Sequence, residues 1–460
     1  MKSSVFFAAV GAAVLLLIAP CAPSAAKPVV CAECVKANMQ RLAGDELHGR
    51  GCGSEDEHAA ARFLGEALRQ SKISPAFGDG VYLQAVQLQT PTAAAVPKLE
   101  IVSGNTHLSF LQGQDIVAIQ PPETLRAATL YLTDAKSATE AIKGKVVIYD
   151  SAFFDQPGIQ ALLGAGALAV ISPLSDQNAQ HWNELSTRSP GRTRVVGVES
   201  PEPAPIGATI YATPQTMAAL RHIGQGEAQL TAPRGEPRAR TTYNVMGVLH
   251  GKASDADHHA LLLTAHYDHL GVRNSVTFHG ANDDASGTAA VLEFARILGQ
   301  SARHRRTVYF GLFGCEEEGE LGAQYIQAHA PMAISDLMAN LEFEMIGVDD
   351  PKRPGALMLT GWERTNLGPA LQAQGARLGP DLYPQQHFFR RSDNYQLARR
   401  GVIAQTVSAW PLPPTYHAAS DDLAHVDLAF MNSVITSMVK PVTWLLDSDF
   451  QPQWLPGQKP

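Results

Sequence analysis

The sequence has little charge and no excess of positive charge. Charged residues make up 17% of the 460 residues, and 36 Lys and Arg against 44 Asp and Glu leave a net charge of −8. Proteins that bind nucleic acid or anionic membrane surfaces usually carry basic patches or runs of lysine and arginine. The composition therefore argues against both classes of partner.

Long apolar runs are scarce, and the run at the N-terminus is short. Residues 5–18 are apolar, Lys2 precedes them, and the small residues Ser24, Ala25 and Ala26 follow. A bilayer span needs about 20 apolar residues, whereas this pattern is typical of a cleaved signal peptide. We predict a signal peptide over residues 1–26 and an exported protein, periplasmic or secreted, with no membrane insertion after cleavage. An uncleaved anchor helix is the alternative.

Cysteine is also scarce. Of five cysteines, Cys31, Cys34, Cys52 and Cys315 follow the predicted cleavage site. Four cysteines allow three pairings, and the sequence does not choose among them. Cys31 and Cys34 with His48 and Cys52 also have the spacing of a zinc site, but export favours a disulfide. Cys315 follows an apolar strand, which predicts a buried free thiol.

The apolar fraction and the length predict a large core and more than one domain. Apolar residues make up 45% of the chain, and domains average about 150 residues. We predict an α/β fold, with a mostly parallel central sheet flanked by helices over residues 27–125 and 236–460. A smaller α/β domain is inserted at residues 126–235, where short strands flank a Gly/Ala-rich helix.

Acidic and histidine residues recur where the predicted strands of the larger domain end. In open α/β sheets, the carboxyl ends of the strands form the ligand-binding edge. Each group alone has an ordinary explanation, such as helix capping or a solvated charge run, but an unpaired carboxylate inside an apolar strand is costly. The groups are His266-Tyr267-Asp268-His269, Asp283-Asp284, Glu316-Glu317-Glu318, Glu342-Phe343-Glu344 and Tyr416-His417.

These residue types suit a pair of divalent metals. Zinc prefers imidazole and carboxylate ligands, and two metals about 3.5–4 Å apart need a bridging carboxylate. A further carboxylate that binds no metal is needed to move the proton of the attacking water. The sequence therefore predicts a dinuclear centre with a separate general base.

Five segments together resemble the motif set of the secreted dizinc aminopeptidases, a family that includes glutamate carboxypeptidases. They are HYDHLG, GANDDASG, GCEEEGELGA, NLEFEMIG and YHAASD. The segment LAGDELHGRGCGSEDEHAA, from Leu42, is similar to the N-terminal segment of that family, and residues 126–235 resemble its inserted protease-associated domain. The resemblance implies peptide substrates and two divalent metal ions, zinc being expected.

The resemblance also implies a ligand set. Asp283 matches the bridging aspartate, and a cis peptide bond is expected between it and Asp284. Glu344 stands where the family usually has Asp, which leaves Glu342 as an alternative ligand and a preference for cobalt or manganese as a possibility. The implied metal ligands are His266, Asp283, Glu317, Glu344 and His417.

Further roles follow from the same resemblance. Glu316 matches the general base, Asp268 the carboxylate that orients His266, and Tyr416 a phenol that hydrogen-bonds the developing oxyanion. We assign no role to the remaining histidines near the motifs. These are His269, His279 and His387.

The first functional interpretation is a zinc metallopeptidase of the aminopeptidase type. A carboxypeptidase or dipeptidase of the same family is an alternative, and Arg390 and Arg391 would then be candidates to bind a substrate carboxylate. A glutaminyl cyclase and a catalytically dead binding protein are alternatives of other classes. The oligomeric state does not follow from the sequence.

Overall fold

The computed structural model describes residues 29–137, 140–199, 207–223 and 225–460. The predicted signal peptide lies outside these residues. Within them, no helix combines the length and the apolar character needed to cross a membrane.

Helices and strands alternate along most of the described chain. The helices are α1 (Ala32–Leu42), α2 (Glu55–Gln70), α3 (Gln156–Gly164), α4 (Asp176–Gln180), α5 (Trp182–Thr187), α6 (Pro214–Arg221), α7 (Gly287–Gln300), α8 (Leu321–His329), α9 (Leu367–Ala373), α10 (Asn394–Ala398) and α11 (Leu428–Asp447). The strands are β1 (Ser74–Pro75), β2 (Leu83–Ala93), β3 (Lys98–Ser103), β4 (Thr106–Leu111), β5 (Ile116–Ile119), β6 (Thr124–Leu132), β7 (Val146–Tyr149), β8 (Ala169–Pro173), β9 (Arg194–Val195), β10 (Ala208–Ala212), β11 (Glu227–Thr231), β12 (Arg234–Leu249), β13 (Ala260–His266), β14 (Gly271–Arg273), β15 (Val276–Phe278), β16 (Val308–Phe313), β17 (Leu337–Phe343), β18 (Leu357–Leu359), β19 (Leu378–Pro380) and β20 (Ala404–Ser408).

The larger sheet has a parallel centre. Its order is β19-β18-β20-β17-β13-β16-β12-β2-β9, with β1 beside β12. Strands β16, β13, β17 and β20 are parallel neighbours, whereas β12 is antiparallel to β16 and β2 is antiparallel to β12. Helices cover the sheet, so the predicted α/β class is confirmed.

Both faces of this sheet are buried, which explains the continuous apolar run in β13. Leu261 and Leu263 point into a core shared with α1, α2, α7 and α11. Leu262 points the other way, toward α8 and α10. Because successive side chains of a strand face opposite sides, a strand covered on both faces is apolar throughout.

The smaller sheet begins earlier than predicted. Its order is β4-β3-β11-β6-β7-β8-β10-β5, so β3, β4 and β5 belong to it although they precede residue 126. Strands β3 and β4 join it through the pairing of β3 with β11, and β5 joins it through β10; local alternation does not reveal either distant pairing. In addition, β9 leaves this region and pairs with β2 at the edge of the larger sheet.

Two disulfides decide between the cysteine alternatives: a disulfide near the N-terminus was favoured, whereas the free thiol predicted for Cys315 was wrong. Cys31 is bonded to Cys34, so the zinc interpretation of this segment is wrong. Cys52 is bonded to Cys315, which is therefore not a free thiol. This second bond lies in an apolar cluster with Val86 and Leu88, which the fold brings together from four separate segments.

Candidate metal centre

The predicted site residues converge because their strands run parallel. His266 ends β13, Glu316 and Glu317 follow β16, and Glu344 follows β17. Asp283 lies in the turn Ala281–Ser286 that leads into α7. The carboxyl ends of parallel strands share one edge, so residues far apart in sequence meet there. His417 reaches the same edge from the loop after β20.

Asp283 lies between two histidines. Its Oδ1 is 3.2 Å from His266 Nε2, and its Oδ2 is 3.2 Å from His417 Nε2. His417 Nε2 is also 3.1 Å from Glu317 Oε2. Each oxygen of the Asp283 carboxylate therefore faces a different group of ligands, as a bridging carboxylate requires.

Two overlapping groups of side chains have the spacing of cation ligands. His266, Asp283 and Glu344 form one group, and His269, Asp283 and Glu317 form the other, with ligand atoms within 4.8 Å of one another. Both ring nitrogens of His266 are buried, and neither has a hydrogen-bond partner in the part of the chain that the structure describes. An orphaned buried polar atom costs about 1–3 kcal/mol, and a divalent cation would satisfy it. Nitrogen and oxygen donors of this kind fit zinc.

Glu344, and not Glu342, belongs to these groups. Glu342 Oε2 instead accepts hydrogen bonds from Asn394 N at 2.6 Å and from Thr406 Oγ1 at 3.3 Å. Burial and repulsion from Glu344 raise the pKa of Glu342 to about 8. The extra methylene of Glu344 is thus compatible with the position that the family usually fills with Asp.

The electrostatics of the site indicate missing positive charge. Burial raises the pKa of Glu316 well above its usual range, and repulsion from Glu317 and Glu344 adds to this. Burial likewise raises the pKa of Glu344 to about 7. For Asp283, burial is outweighed by the nearby imidazoles of His266, His417 and His269, which lower its pKa well below the usual range. Several carboxylates crowded in a buried site call for cations.

The motif around Asp283 also positions the segment after Glu344. The peptide bond between Asp283 and Asp284 is cis, as expected. Asp284 Oδ1 accepts from Met345 N at 3.0 Å, and Ser286 Oγ accepts from Ile346 N at 2.9 Å. The motif therefore connects the segment of Asp283 to the segment that follows Glu344 by two hydrogen bonds.

Asp268 contacts the loop of Glu316 more closely than it contacts His266. Its Oδ1 is 3.7 Å from His266 Nδ1, beyond hydrogen-bond distance. The same oxygen accepts from Glu316 N at 2.9 Å, and Oδ2 accepts from Glu317 N at 3.4 Å. In this structure Asp268 holds the backbone that carries the expected base and a ligand.

A small pocket of about 30 Å³ is lined in part by Glu344. Met358 and Phe388 contribute apolar walls, and Arg391 and Tyr416 contribute polar groups. The Tyr416 ring stacks on the His417 ring with centroids 3.9 Å apart. Its Oη lies 3.4 Å from Arg391 Nη2. Burial and the nearby carboxylates raise the pKa of Tyr416, so its phenol stays a proton donor.

Residues 244–440 match the model of peptidase family M28. This part of the chain is a peptidase family M28 domain. It contains all the residues that we predicted as metal ligands, together with Glu316, Asp268 and Tyr416.

Curated relatives match over parts of their length. Aminopeptidase YwaD of Bacillus subtilis (strain 168) is 32% identical over 130 residues, which cover 28% of this chain and 24% of that protein. The probable lipoprotein aminopeptidase LpqL of Mycobacterium tuberculosis is 37% identical over 182 residues, or 32% of this chain and 36% of that protein. The chain therefore spans about a quarter to a third of these relatives' length.

Solved structures share the fold across most of the chain. The aminopeptidase from Aneurinibacillus sp. strain AM-1 gives a TM-score of 0.59 at 19% identity, covering 92% of this chain and 95% of that one. BSAP, a zinc aminopeptidase from Bacillus subtilis, gives a TM-score of 0.56 at 19% identity, covering 92% and 97%. The M28 domain thus lies within a fold that these structures share as a whole.

Sequence analysis missed three residues that shape the site. His269 was given no role, although it belongs to one of the two ligand groups. Asp421 accepts from Asn282 N at 2.8 Å and from Asp283 N at 3.0 Å. Its place in the YHAASD segment, four residues after His417, was the available signal.

Arg50 is the third missed residue, and it is fully buried. It donates to the backbone oxygens of Tyr267, His279 and Gly280 at 2.6, 2.8 and 2.9 Å, and also to that of Leu42. Arg50 thereby joins the end of α1 to the two loops that carry His266 and Asp283. The sequence signal that could have identified Arg50 is its position between two glycines in the HGRGCG segment.

Proposed function

We propose that the chain is a metal-dependent aminopeptidase that releases N-terminal residues from peptides, using two divalent ions that are zinc. One observation carries the proposal: the Asp283 carboxylate lies between two histidines at the ligand edge, beside the loop of Glu316. The names of the matched relatives support the reaction class.

The protein groups divide the work of hydrolysis. His266, Asp283, Glu344, Glu317 and His417 would hold the ions. When bound, the ions would lower the pKa of a water and polarise the scissile carbonyl. Glu316 binds no ion in this assignment, and it would take the water's proton and pass it to the leaving amine. The Tyr416 phenol would donate a hydrogen bond to the oxyanion.

We further propose that the chain is exported and that the smaller sheet belongs to a protease-associated domain. Two disulfides support export, because such bonds persist in oxidising compartments. The contact of Thr193 with Glu318, at 2.8 Å between Oγ1 and Oε2, connects the inserted region to the loop of Glu316. This contact suits a domain that flanks the active site.

The test of the base is Glu316→Gln. We expect unchanged metal content and a loss of turnover of roughly 10²–10⁴-fold, because the amide cannot accept the water's proton. The matched control is Glu318→Gln, since Glu318 is two residues away and pairs with Arg240 instead. Turnover of Glu316→Gln equal to that of the control would refute the assignment.

A further inference from the structure

His269 has the position of a ligand, although the implied set of five ligands leaves it out. It follows Asp268 in the loop after β13 and is 1% exposed. Its Nδ1 lies 2.7 Å from Glu317 Oε1 and 4.0 Å from Asp283 Oδ2. Asp283 and Glu317 also lie close to His417, whose Nε2 is 3.2 Å from Asp283 Oδ2 and 3.1 Å from Glu317 Oε2.

The distance of 2.7 Å does not correspond to a hydrogen bond. Among the residues that the structure describes, neither His269 Nδ1 nor Glu317 Oε1 has a partner of acceptable hydrogen-bond geometry, although both atoms are buried. His266 shows the same combination, with unpartnered nitrogens and a carboxylate oxygen 3.2 Å away. Donor atoms that crowd together without facing one another are arranged around a common point, as cation ligands are.

The surroundings hold the His269 ring in this place. A Cβ at position 280 would lie 2.4 Å from His269 Cγ, so Gly280 is the residue that lets the ring pack against the motif of Asp283. The His269 ring meets the His417 ring edge to face at 5.8 Å. Its backbone N donates to Arg50 O at 3.3 Å. The ring therefore has little freedom to turn away.

We infer that His269 Nδ1 is an additional ligand of the second metal ion, together with Asp283, Glu317 and His417. The first ion would then have three protein ligands, His266, Asp283 and Glu344. The inference rests on the proposed metal centre and makes it asymmetric. A site with four protein ligands is closed, whereas a site with three keeps a position open for water or substrate. The second ion should therefore be retained longer against a chelator.

The experiment combines metal titration with X-ray absorption on the full-length protein reconstituted with zinc. In the wild type, we expect two ions per chain. Their imidazole scattering, summed over both ions, should correspond to three histidine ligands. His269→Ala should bind one of its two ions about 100-fold more weakly and show the scattering of two histidines. The matched control is His279→Ala, because His279 is nearby and outside both ligand groups.

Each outcome separates this inference from the proposed function. Two ions with only two imidazoles in the wild type would overturn the role of His269 and leave the proposed function standing, whether or not the variant folds. Equal affinities in His269→Ala and His279→Ala would do the same. A wild-type protein that binds no zinc would overturn the metal centre itself, and this assignment with it.

Discussion

The disulfide between Cys52 and Cys315 should contribute far more stability than the one between Cys31 and Cys34. The first closes a sequence separation of 263 residues, and the second a separation of 3. We therefore compare the double variant Cys52→Ala/Cys315→Ala with Cys31→Ala/Cys34→Ala. Each variant removes one bond and leaves the other intact.

The magnitude follows from the chain entropy of the unfolded state. The loop-closure relation gives about 5.5 kcal/mol for the long loop and about 1.5 kcal/mol for the short one. Measured effects are usually smaller than this relation predicts, because unfolded chains retain structure. We therefore expect the free energy of unfolding to fall by about 2–4 kcal/mol more in the long-loop variant.

The assay is urea unfolding under non-oxidising, thiol-free conditions, followed by tryptophan fluorescence. A lower midpoint with an unchanged slope reports lost stability, whereas a changed slope reports a changed unfolded state. Equal losses in the two variants would refute the reasoning from loop length. They would mean that local packing around each bond, and not chain connectivity, determines its contribution.

Two further substitutions test how the site is held. Arg50→Met should lower the free energy of unfolding by about 4 kcal/mol or more, because four backbone oxygens lose a charged donor worth about 1.5 kcal/mol each. The control is Arg41→Met, which breaks an exposed ion pair and should lower the free energy of unfolding by less than about 1 kcal/mol in the same urea assay. A similar loss of stability in both variants would contradict this account. Asp421→Ala should weaken metal binding by about 10–100-fold, since the amides before the bridging carboxylate lose their acceptor. Asp422→Ala is the control in that metal titration, because Asp422 contacts His425 instead. Equal metal affinities in the two variants would show that Asp421 does not position Asp283.

The local elements were predictable because their signals are local. Ser54 Oγ accepts from Glu57 N at 3.1 Å at the start of α2, and Ser followed three residues later by Glu is a local signal for a helix start. The buried strand β13 is a continuous apolar run, which is also a local signal. Once the strands were identified, the shared carboxyl edge placed the residues that follow them near one another. The family resemblance supplied the individual roles.

The remaining features depend on contacts between distant segments. Cys52 and Cys315 are far apart in sequence, and only the fold shows that they meet. The pairing of β3 with β11 has the same character. His269 looked like an ordinary loop histidine, because its nearness to Glu317 requires the loops after β13 and β16 to be placed first. Side chains that position a site through backbone atoms, as Arg50 does, leave a weak signal in sequence.

The most direct test of the central claim is digestion of a peptide pool by the mature protein, with and without a chelator, followed by mass spectrometry. The pool contains each peptide in free, N-acetylated and C-amidated form. We expect stepwise loss of N-terminal residues that survives amidation, stops on acetylation and disappears with the chelator. Trimming that continues in the chelator, or that stops on amidation and survives acetylation, would contradict a metal-dependent aminopeptidase.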